Sequence, residues 1–184
     1  VYSQTSPGFA QALRDGITKA QGKYIITLDA DGSHSPDLIA RLWAERHDYG
    51  VVIASRYLPG SSFKSHLYRQ ILSNVLNNVF AFILSVPVKD LSSGYRLYLR
   101  DAVDLDKCVA QNFSIVQELL IRIINRGYRV KEIPFSYEPR ITGHSHARVF
   151  GFLWSYLVTL HKLWAYRNLA SAADYDHRAF DSII

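Results

Sequence analysis

Short, continuous apolar runs alternate along this chain with longer segments whose apolar residues recur at helical spacing. Such runs are typical of strands buried on both faces of a parallel sheet, and the helices between them cover those faces. The alternation therefore predicts an α/β domain with a Rossmann-type, mainly parallel sheet flanked by helices. The predicted strands span residues 24–28, 51–55, 95–99 and 130–137, and the predicted helices span 8–20, 35–47, 65–85 and 114–126.

The composition is that of an ordinary globular domain, with 48% hydrophobic and 20% charged residues in a chain of 184. A chain of this length forms one domain with a sizeable core. Cys108 is the only cysteine, so no internal disulfide can form. The formal net charge of +5 suits an anionic partner such as a phosphate or an acidic membrane face. Nucleic acid is not expected as a partner, because the basic residues are not clustered with stacking aromatics.

An acidic pair, Asp29 and Asp31, directly follows the first predicted strand. Ligands of open α/β sheets bind beyond the carboxyl ends of the strands. Two carboxylates in such a loop can turn toward Mg²⁺ or Mn²⁺, which accept oxygen ligands and bridge to substrate phosphates. The alternative is a solvated acidic turn that caps the next helix. The strand in front and the helix start at Ser35-Pro36, with Ser35 as N-cap, favour the metal site.

A second candidate is Asp90, which lies just before a Ser-Ser-Gly turn that leads into a predicted strand. Its carboxylate could line the same cleft and act as a base, position an acceptor, or hold an arginine such as Arg96. The alternative is a turn in which the carboxylate makes only a structural hydrogen bond. The pattern alone does not separate these interpretations.

Arg69, Ser73 and Asn77 recur at i, i+4 and i+8 of the long predicted helix and therefore share one face. Apolar residues cover much of the rest of that helix. A cation and a hydroxyl one turn apart, beside an apolar surface, suit a phosphate head group that carries a hydrocarbon tail. An ordinary amphipathic helix with a solvated face has the same pattern, and the spacing alone favours this simpler interpretation.

A basic loop at 139–148 combines a glycine with hydroxyl and cationic side chains. Such a loop can close over phosphates, and Arg140 offers a bidentate guanidinium. The alternative is a flexible basic loop without a ligand. Elsewhere, Glu118 and Arg122 stand at i and i+4 of one predicted helix and are interpreted as a structural ion pair.

Taken in order, these segments resemble the family 2 glycosyltransferases of GT-A fold, in particular the branch of dolichol-phosphate mannose synthases and other polyprenyl-phosphate glycosyltransferases. The resemblance covers about residues 8 to 146, and its specificity lies in the order and spacing of the motifs. These are A-x-G-K-Y-I-I-T-L-D-A-D-G-S-H-S-P at 20–36, A-S-R-Y at 54–57, V-K-D-L-S-S-G-Y-R-L-Y at 88–98, E-L-L-I-R at 118–122 and G-Y-R-V-K-E-I-P-F-S-Y-E-P-R-I-T-G-H-S at 127–145.

The resemblance implies an inverting, metal-dependent enzyme that transfers a sugar from a GDP- or UDP-linked donor to dolichyl or undecaprenyl phosphate. It implies Mg²⁺ or Mn²⁺ as cofactor and a peripheral location at the cytoplasmic face of a membrane. By the same resemblance, Asp29 and Asp31 bind the metal and the donor, and Ser33 adds a third oxygen ligand. The implied acceptor phosphate site consists of Arg56, Arg69, Ser73, Arg140 and Ser145, and the implied catalytic residues are Asp90 and Arg96.

Asp90 matches a carboxylate that is assigned as a base in some related enzymes. A lipid monophosphate, however, is already mostly anionic at neutral pH, because its second pKa is about 6. It needs little deprotonation before it attacks the sugar. Asp90 is therefore expected to orient a group or pair with an arginine.

The sequence departs from the family pattern in two places. The usual first strands, with V-I-P-x-Y-N-E and D-D-G-S, are not found, and the resemblance starts at about the third strand. The final loop reads G-H-S-H instead of G-x-S-K, so His146, or Arg148 nearby, is expected to replace the lysine in contacting phosphate, and His146 is expected to take part in donor binding. Two alternatives stay open: a family 2 enzyme that elongates a polysaccharide or glycan, and a non-catalytic, truncated binding module.

The predicted organisation is a glycosyltransferase domain at 1–146, an amphipathic helix in the membrane interface at 147–169, and a tail at 170–184. The apolar segment of the second part is interrupted by His161 and Lys162. This interruption favours a helix that lies in the interface over one that spans the bilayer.

Overall fold

The computed structural model describes residues 3–63, 67–137 and 149–168, with side chains for all of these except 63, 69 and 149–156. The helices are α1 (Phe9–Lys19), α2 (Leu38–Ala44), α3 (Leu67–Ile83), α4 (Ile115–Asn125) and α5 (Val149–Asn168). The strands are β1 (Tyr24–Thr27), β2 (Val51–Ser55), β3 (Ser62–Phe63), β4 (Arg96–Leu99), β5 (Val130–Pro134) and β6 (Ser136–Tyr137). Every predicted strand and helix is found, most of them shortened by a few residues, and β3 is an addition.

The main sheet has the strand order β1-β4-β2-β5. Strand β4 runs antiparallel to both of its neighbours, whereas β2 and β5 are parallel. The α/β class is therefore confirmed. Three of the four strands, β1, β2 and β5, run in the same direction, and the reversed strand β4 makes the sheet mixed. The reason is that the chain re-enters the sheet at the edge where β1 and β2 end. Arg96 pairs there with Thr27 of β1 and Ile53 of β2, so β4 can only run back in the opposite direction.

Two local predictions are corrected. Pro134 ends β5 because proline has no N–H to continue the ladder, and the next strand, β6, pairs with β3 in a separate sheet. Ser35 does not cap α2, since that helix begins three residues later at Leu38. Its hydroxyl accepts a hydrogen bond from the Asp37 N–H (3.3 Å), and its carbonyl accepts one from the Tyr95 hydroxyl (2.8 Å). Ser35 thus ties a turn to the start of β4.

The core has two parts, one on each face of the main sheet, because successive side chains of a strand point to opposite faces. Val51 and Ile53 of β2 face the larger part, which is closed by α1, α3, α4 and α5. Val52 and Ala54 face the smaller part, which is closed by α2. All five residues of β2 are buried, as expected for a strand covered on both faces.

The second half of α5 packs against the larger part of the core, where Leu163 and Tyr166 are buried. The Arg122 guanidinium donates to the Tyr166 hydroxyl at 3.0 Å and to Glu118 at 2.9 and 2.8 Å. Glu118 and Arg122 are thus a structural ion pair, as predicted. The boundary at residue 147 stays a prediction, and the predicted tail lies outside the described residues. In the ranges that the structure describes, no helix is long and apolar enough to cross a membrane.

Candidate active site at the carboxyl edge of the sheet

Asp29 and Asp31 lie in the loop that follows β1, at the carboxyl end of that strand. Gly32 has a φ of +82°, which residues with a side chain rarely adopt, and this conformation lets the loop turn sharply. The Asp31 Oδ1 atom accepts hydrogen bonds from the Ser33 N–H (3.0 Å) and the Ser33 hydroxyl (2.6 Å). The buried Ser33 therefore orients Asp31. Its role as a third metal ligand stays a prediction.

His34, which the sequence patterns did not single out, anchors this loop. Its Nδ1 atom accepts the Asp29 backbone N–H at 2.8 Å, and its ring stacks on Tyr95 at a centroid distance of 4.8 Å. Burial lowers the pKa of His34, although the charges of Asp29 and Asp31 oppose this shift. A neutral ring is required for Nδ1 to accept. The only signal for this role in the sequence was the position of a histidine near the acidic pair. The ring contacts of His34 could not be predicted, because they come from segments that are distant in sequence.

The turn before β4 lies directly beside the acidic loop. The Thr27 hydroxyl donates to the Gly94 carbonyl at 2.7 Å, and a Cβ added to Gly94 would lie 3.9 Å from the Asp29 carboxylate. No group of three or more His, Cys, Asp or Glu side chains is placed to hold a metal in the described part of the chain. An ion that also binds substrate phosphates needs only one or two protein carboxylates. The oxygen donors of the acidic loop fit such an ion.

Asp90 and Arg56 form a buried ion pair just after the end of β2. The Asp90 side chain has no exposed surface, and that of Arg56 is 14% exposed. The guanidinium donates to both carboxylate oxygens, at 2.9 and 2.8 Å, and to the Ser92 hydroxyl at 2.7 Å. The backbone N–H groups of Arg56 and Ser93 donate to the same carboxylate. One carboxylate thereby joins two loops that are distant in sequence.

This environment bears on whether Asp90 can act as a base. Burial by itself raises the pKa of Asp90, but the charge and hydrogen bonds of Arg56 outweigh it, and the resulting pKa is lowered. The carboxylate is ionised, yet it is occupied by donors, whereas a general base must reach the proton that it removes. The geometry agrees with the prediction that Asp90 pairs with an arginine. The partner is Arg56 and not Arg96.

Arg96 does not occupy the position that its predicted catalytic role requires. Its side chain has no exposed surface, and its guanidinium donates to the carbonyls of Leu91 and Val116, each at 2.7 Å. A group without exposed surface cannot touch a substrate. The geometry therefore gives Arg96 a structural role, in which it joins the loop of Asp90 to the start of α4.

One face of α3 is hydrogen-bonded to the same loops. The buried Asn77 donates from Nδ2 to the Ser73 carbonyl (2.8 Å) and the Ser92 hydroxyl (3.2 Å). The Tyr57 hydroxyl donates to Ser73 Oγ at 2.6 Å. Ser73 and Arg56, both predicted to bind the acceptor phosphate, thus belong to one hydrogen-bonded cluster. We call this cluster the polar framework; it consists of Arg56, Tyr57, Ser73, Asn77, Asp90 and Ser92.

Four further residues of the predicted site are not described at the level of their side chains. Arg69 belongs to α3, one turn before Ser73, but its side chain lies outside the described residues. Arg140, Ser145 and His146 fall in 138–148, which also lies outside them. The roles of these four residues stay predictions.

A second face of α3 is apolar and exposed. Ile71, Val75 and Val79 follow one another at intervals of one turn and are 56%, 52% and 41% exposed. Phe82, in the last turn, is 85% exposed. Single exposed apolar residues are normal, but a contiguous row of large ones marks an interaction surface. One helix therefore carries both part of the polar framework and an exposed apolar face.

The mixed sheet, with the acidic loop at its carboxyl edge, has the GT-A-like α/β fold of glycosyltransferases. It is similar to glucosyl-3-phosphoglycerate synthase from Mycobacterium tuberculosis, solved in complex with Mn²⁺, uridine-diphosphate-glucose and phosphoglyceric acid (TM-score 0.59, 15% identity, 86% of this chain and 55% of that chain). The complex of that enzyme with Mg²⁺ and uridine-diphosphate has a TM-score of 0.58 at 16% identity, over 90% of this chain and 56% of that one. At these identities the likeness concerns the fold alone, and it confirms the predicted GT-A fold.

The chain belongs to glycosyl transferase family 2, which matches residues 1–105. It is 33% identical to the polyprenol monophosphomannose synthase of Mycolicibacterium smegmatis over 144 residues, which cover 75% of this chain and 52% of that protein. It is 29% identical to the dolichol-phosphate mannosyltransferase of Saccharomyces cerevisiae over 145 residues, which cover 75% of this chain and 54% of that protein. The chain spans about half the length of these relatives. The family predicted from the motifs is confirmed.

Proposed function

We propose that this protein transfers a sugar from a nucleotide-sugar to a polyprenyl phosphate at the cytoplasmic face of a membrane, with inversion at the sugar carbon. The names of the two relatives, a polyprenol monophosphomannose synthase and a dolichol-phosphate mannosyltransferase, support this acceptor class. The observation that carries the proposal is the polar framework. It joins the guanidinium of Arg56, in the loop after β2, to the hydroxyl of Ser73 on a helix whose other face is apolar and exposed.

On the donor side, Asp29 and Asp31 would hold Mg²⁺ or Mn²⁺ together with the diphosphate of a GDP- or UDP-linked sugar. The bound ion would neutralise the charge that develops on the leaving diphosphate. Ser33 keeps the Asp31 carboxylate oriented, and His34 fixes the backbone at Asp29. The synthase complexes with Mn²⁺ and uridine-diphosphate-glucose, or with Mg²⁺ and uridine-diphosphate, support a divalent ion and a nucleotide diphosphate in this fold.

On the acceptor side, Arg56 supplies a positive charge and Ser73 a hydroxyl for the phosphate of the lipid. Asp90 accepts two hydrogen bonds from the guanidinium and so keeps it in one position before the acceptor binds. A cation that is already ordered loses less entropy on binding than a mobile one. In this proposal Arg69, Arg140 and Ser145 complete the phosphate site, and His146 contacts the donor.

The reaction is a direct displacement. An oxygen of the lipid phosphate attacks the anomeric carbon and forms the new C–O bond. The bond from that carbon to the donor diphosphate breaks, and its electron pair leaves with the diphosphate. Since a phosphate monoester is mostly dianionic above its second pKa of about 6, no base has to remove a proton first. A paired Asp90 agrees with this, and it counts against a neutral glycan hydroxyl as acceptor, because that hydroxyl needs a free base.

The transferase activity can be tested with the full-length protein, a short polyprenyl phosphate and a panel of GDP- and UDP-linked sugars, with Mn²⁺, Mg²⁺ or a chelator. We expect a lipid-linked product that requires the metal, is lost in Asp31→Asn and falls sharply in Arg69→Ala. Asp101→Asn removes an exposed carboxylate after β4 and is the matched control. Product formed only on a glycan would contradict the lipid acceptor. The absence of both turnover and nucleotide binding would favour the non-catalytic binding module.

The membrane would be contacted by the exposed apolar face of α3, so that the acceptor tail stays in the lipid while its phosphate reaches Ser73. The net charge of +5 favours an acidic lipid surface. Co-sedimentation with vesicles of phosphatidylglycerol and phosphatidylcholine tests this placement. We expect the double variant Val75→Ser, Phe82→Ser to bind about 10-fold more weakly or worse, since burying one such side chain contributes roughly 1.5–3 kcal/mol.

The control for the vesicle experiment is Trp43→Ser. Trp43 is a large exposed side chain too, but it lies on α2, which covers the other face of the sheet. Its replacement should leave vesicle binding unchanged. Equal binding by the α3 variant and the wild type would contradict the proposed contact.

A further inference from the structure

Glu132 lies in the middle of β5, the strand at one edge of the main sheet. Its partner across the ladder is Ile53 of β2, whose side chain faces the larger part of the core. Paired residues of neighbouring strands point to the same face of a sheet. The Glu132 side chain therefore lies on the face that α3 helps to close, and there it binds the segment that connects α3 to Asp90.

The carboxylate of Glu132 binds two successive backbone groups of that segment. Its Oε2 atom accepts the Lys89 N–H and its Oε1 atom accepts the Asp90 N–H, each at 2.9 Å. A backbone N–H can only donate, so the direction of both hydrogen bonds is fixed. Within the described part of the chain, Glu132 makes no other hydrogen bond or ion pair. Its contacts thus serve to hold this segment.

The segment before Asp90 has little else to hold its backbone. The chain leaves α3 through Ser85, whose φ of +49° is one that residues with a side chain rarely adopt. Pro87 follows and has no N–H to donate. No regular secondary structure forms between the end of α3 and Asp90. The two hydrogen bonds to Glu132 therefore fix the peptide groups at Lys89 and Asp90.

The position of Asp90 determines that of the Arg56 guanidinium. The Asp90 carboxylate accepts from Arg56 Nε at 2.9 Å and from Nη2 at 2.8 Å. A contact through two parallel hydrogen bonds fixes the plane of a guanidinium as well as its place. A shift of the Asp90 main chain moves its carboxylate, and this geometry is then lost. Glu132 is thereby connected to Arg56 through one intervening residue.

We infer that Glu132 is a positioning residue of the acceptor site, which fixes the main chain at Asp90 and so keeps the Arg56 guanidinium oriented for a phosphate oxygen. The inference rests on the proposed function, since the phosphate is that of the polyprenyl acceptor. Glu132 itself touches neither substrate. Without it, every residue that touches the phosphate is still present, but the guanidinium has to be ordered when the acceptor binds, which weakens binding.

The order of Arg56 can be measured without a substrate, by ¹⁵N relaxation of its Nε–H group in the full-length protein. The variant Arg56→Lys identifies the resonance. We expect an order parameter of about 0.85 in the wild type and below about 0.6 in Glu132→Gln. Glutamine keeps one acceptor but places an amide N–H against the second backbone N–H. Glu132→Ala removes both acceptors and should have at least the same effect.

Asp15→Asn is the matched control for this measurement. Asp15 also accepts a backbone N–H, that of Thr5 at 2.6 Å, but it belongs to α1 and has no contact with the polar framework. Its replacement should leave the order of Arg56 unchanged.

The consequence for the acceptor is measured by isothermal titration calorimetry with farnesyl phosphate and by steady-state kinetics. Glu132→Gln should weaken binding about 5-fold, in line with the cost of ordering one long side chain. KM for farnesyl phosphate should rise by a similar factor, while kcat and KM for the nucleotide-sugar stay within about two-fold of the wild type. Asp15→Asn should change none of these constants.

An Arg56 order parameter that is equal in wild type and Glu132→Gln would overturn the inference and leave the proposed function intact. Equal binding of farnesyl phosphate by these two proteins would overturn it too. The same holds for a KM for the nucleotide-sugar that rises as much as the KM for farnesyl phosphate, since this indicates a general loss of structure. A wild-type protein that does not bind farnesyl phosphate would overturn the proposed function, and the acceptor role of Glu132 with it.

Discussion

The acidic loop and the polar framework both place carboxylates at the same edge of the sheet, but the two regions hold them differently. In the acidic loop, Asp31 is oriented by its near neighbour Ser33, and the Asp29 side chain is 38% exposed. In the polar framework, Asp90 has no exposed surface and is bound by Arg56 from the end of another strand. The charge of the acidic loop is thus accessible to a ligand, whereas the charge of Asp90 is already neutralised within the protein.

This contrast assigns different tasks to chemically identical groups. A buried, paired carboxylate stabilises the folded structure, because its removal leaves the opposite charge buried without a partner. An accessible carboxylate contributes mainly to what binds there. Loss of Asp90 should therefore affect folding first, and loss of the charge on Asp31 should affect the reaction first.

The largest effect is expected from Asp90→Ala. The variant leaves the Arg56 guanidinium largely buried without its countercharge, and breaking a buried pair in this way costs about 3–5 kcal/mol. Urea unfolding at neutral pH measures the free energy directly. A loss no greater than that of a surface ion pair, about 1 kcal/mol or less, would remove the distinction between the two regions.

The same pair predicts how stability depends on pH. The folded protein holds the pKa of Asp90 below its usual value of 3.8, so the unfolded chain takes up a proton first as the pH falls. The stability from Asp90 is therefore fully present above about pH 4 and is lost as the pH falls through the lowered pKa. The difference in unfolding free energy between wild type and Asp90→Ala should be constant from about pH 5 to 8 and shrink below about pH 4. A difference that grows on acidification would contradict the paired state.

The next largest effect is expected from Asp31→Asn, which keeps the Oδ1 acceptor for Ser33 but removes the charge. Sugar transfer should fall about 100-fold or more, because several kcal/mol of stabilisation of the leaving group are lost. The free energy of unfolding should change far less than in Asp90→Ala, because the Oδ1 acceptor for Ser33 is kept. The rate of sugar transfer and the free energy of unfolding in urea should be measured on the same preparation of each protein. An Asp31→Asn protein as unstable as Asp90→Ala would mean that the acidic loop is also a structural element.

The smallest effect concerns the anchor of the acidic loop. His34→Phe keeps a ring against Tyr95 but leaves the Asp29 N–H without its acceptor. We expect Mn²⁺ affinity in the presence of uridine-diphosphate to fall about 10-fold, which is typical of groups that orient metal ligands. The affinity is measured by electron paramagnetic resonance, which detects the Mn²⁺ that stays free.

The control for this variant is His34→Asn, whose Oδ1 atom can replace Nδ1 as the acceptor. Its Mn²⁺ affinity should stay within about three-fold of the wild type. If His34→Phe binds Mn²⁺ as the wild type does, the loop is held by its own short-range hydrogen bonds alone.

The parts of the fold that could be predicted are those with a local signal. Helical spacing and short apolar runs located the five helices and most strands, because periodicity is read over a few residues. The direction of β4 has no such signal, since a strand buried on both faces has the same pattern in either direction. The reversal of β4 was therefore not predicted, although the strand itself was found.

The sequence predicted which residues belong to the candidate site, but it did not predict which of their side chains contact one another. Asp90 and Arg56 both belong to recognisable motifs, yet the sequence favoured Arg96 as the arginine beside Asp90. Arg96 is closer in sequence, but it enters β4 and is turned into the core, where two carbonyls take its donors. His34 was missed for the same reason, since its role depends on the ring of Tyr95.

By itself, the sequence determined the α/β class, the family, and the position of Asp29 and Asp31 directly after a strand. These depend on short-range patterns that survive without knowledge of the packing. Only the tertiary structure decided that Arg56 neutralises Asp90, that Arg96 is buried, and that Ser73 is joined to distant loops. Such contacts form between segments that are distant in sequence and meet away from water. The low dielectric there strengthens each hydrogen bond that is made and penalises each buried polar group that is left unpaired.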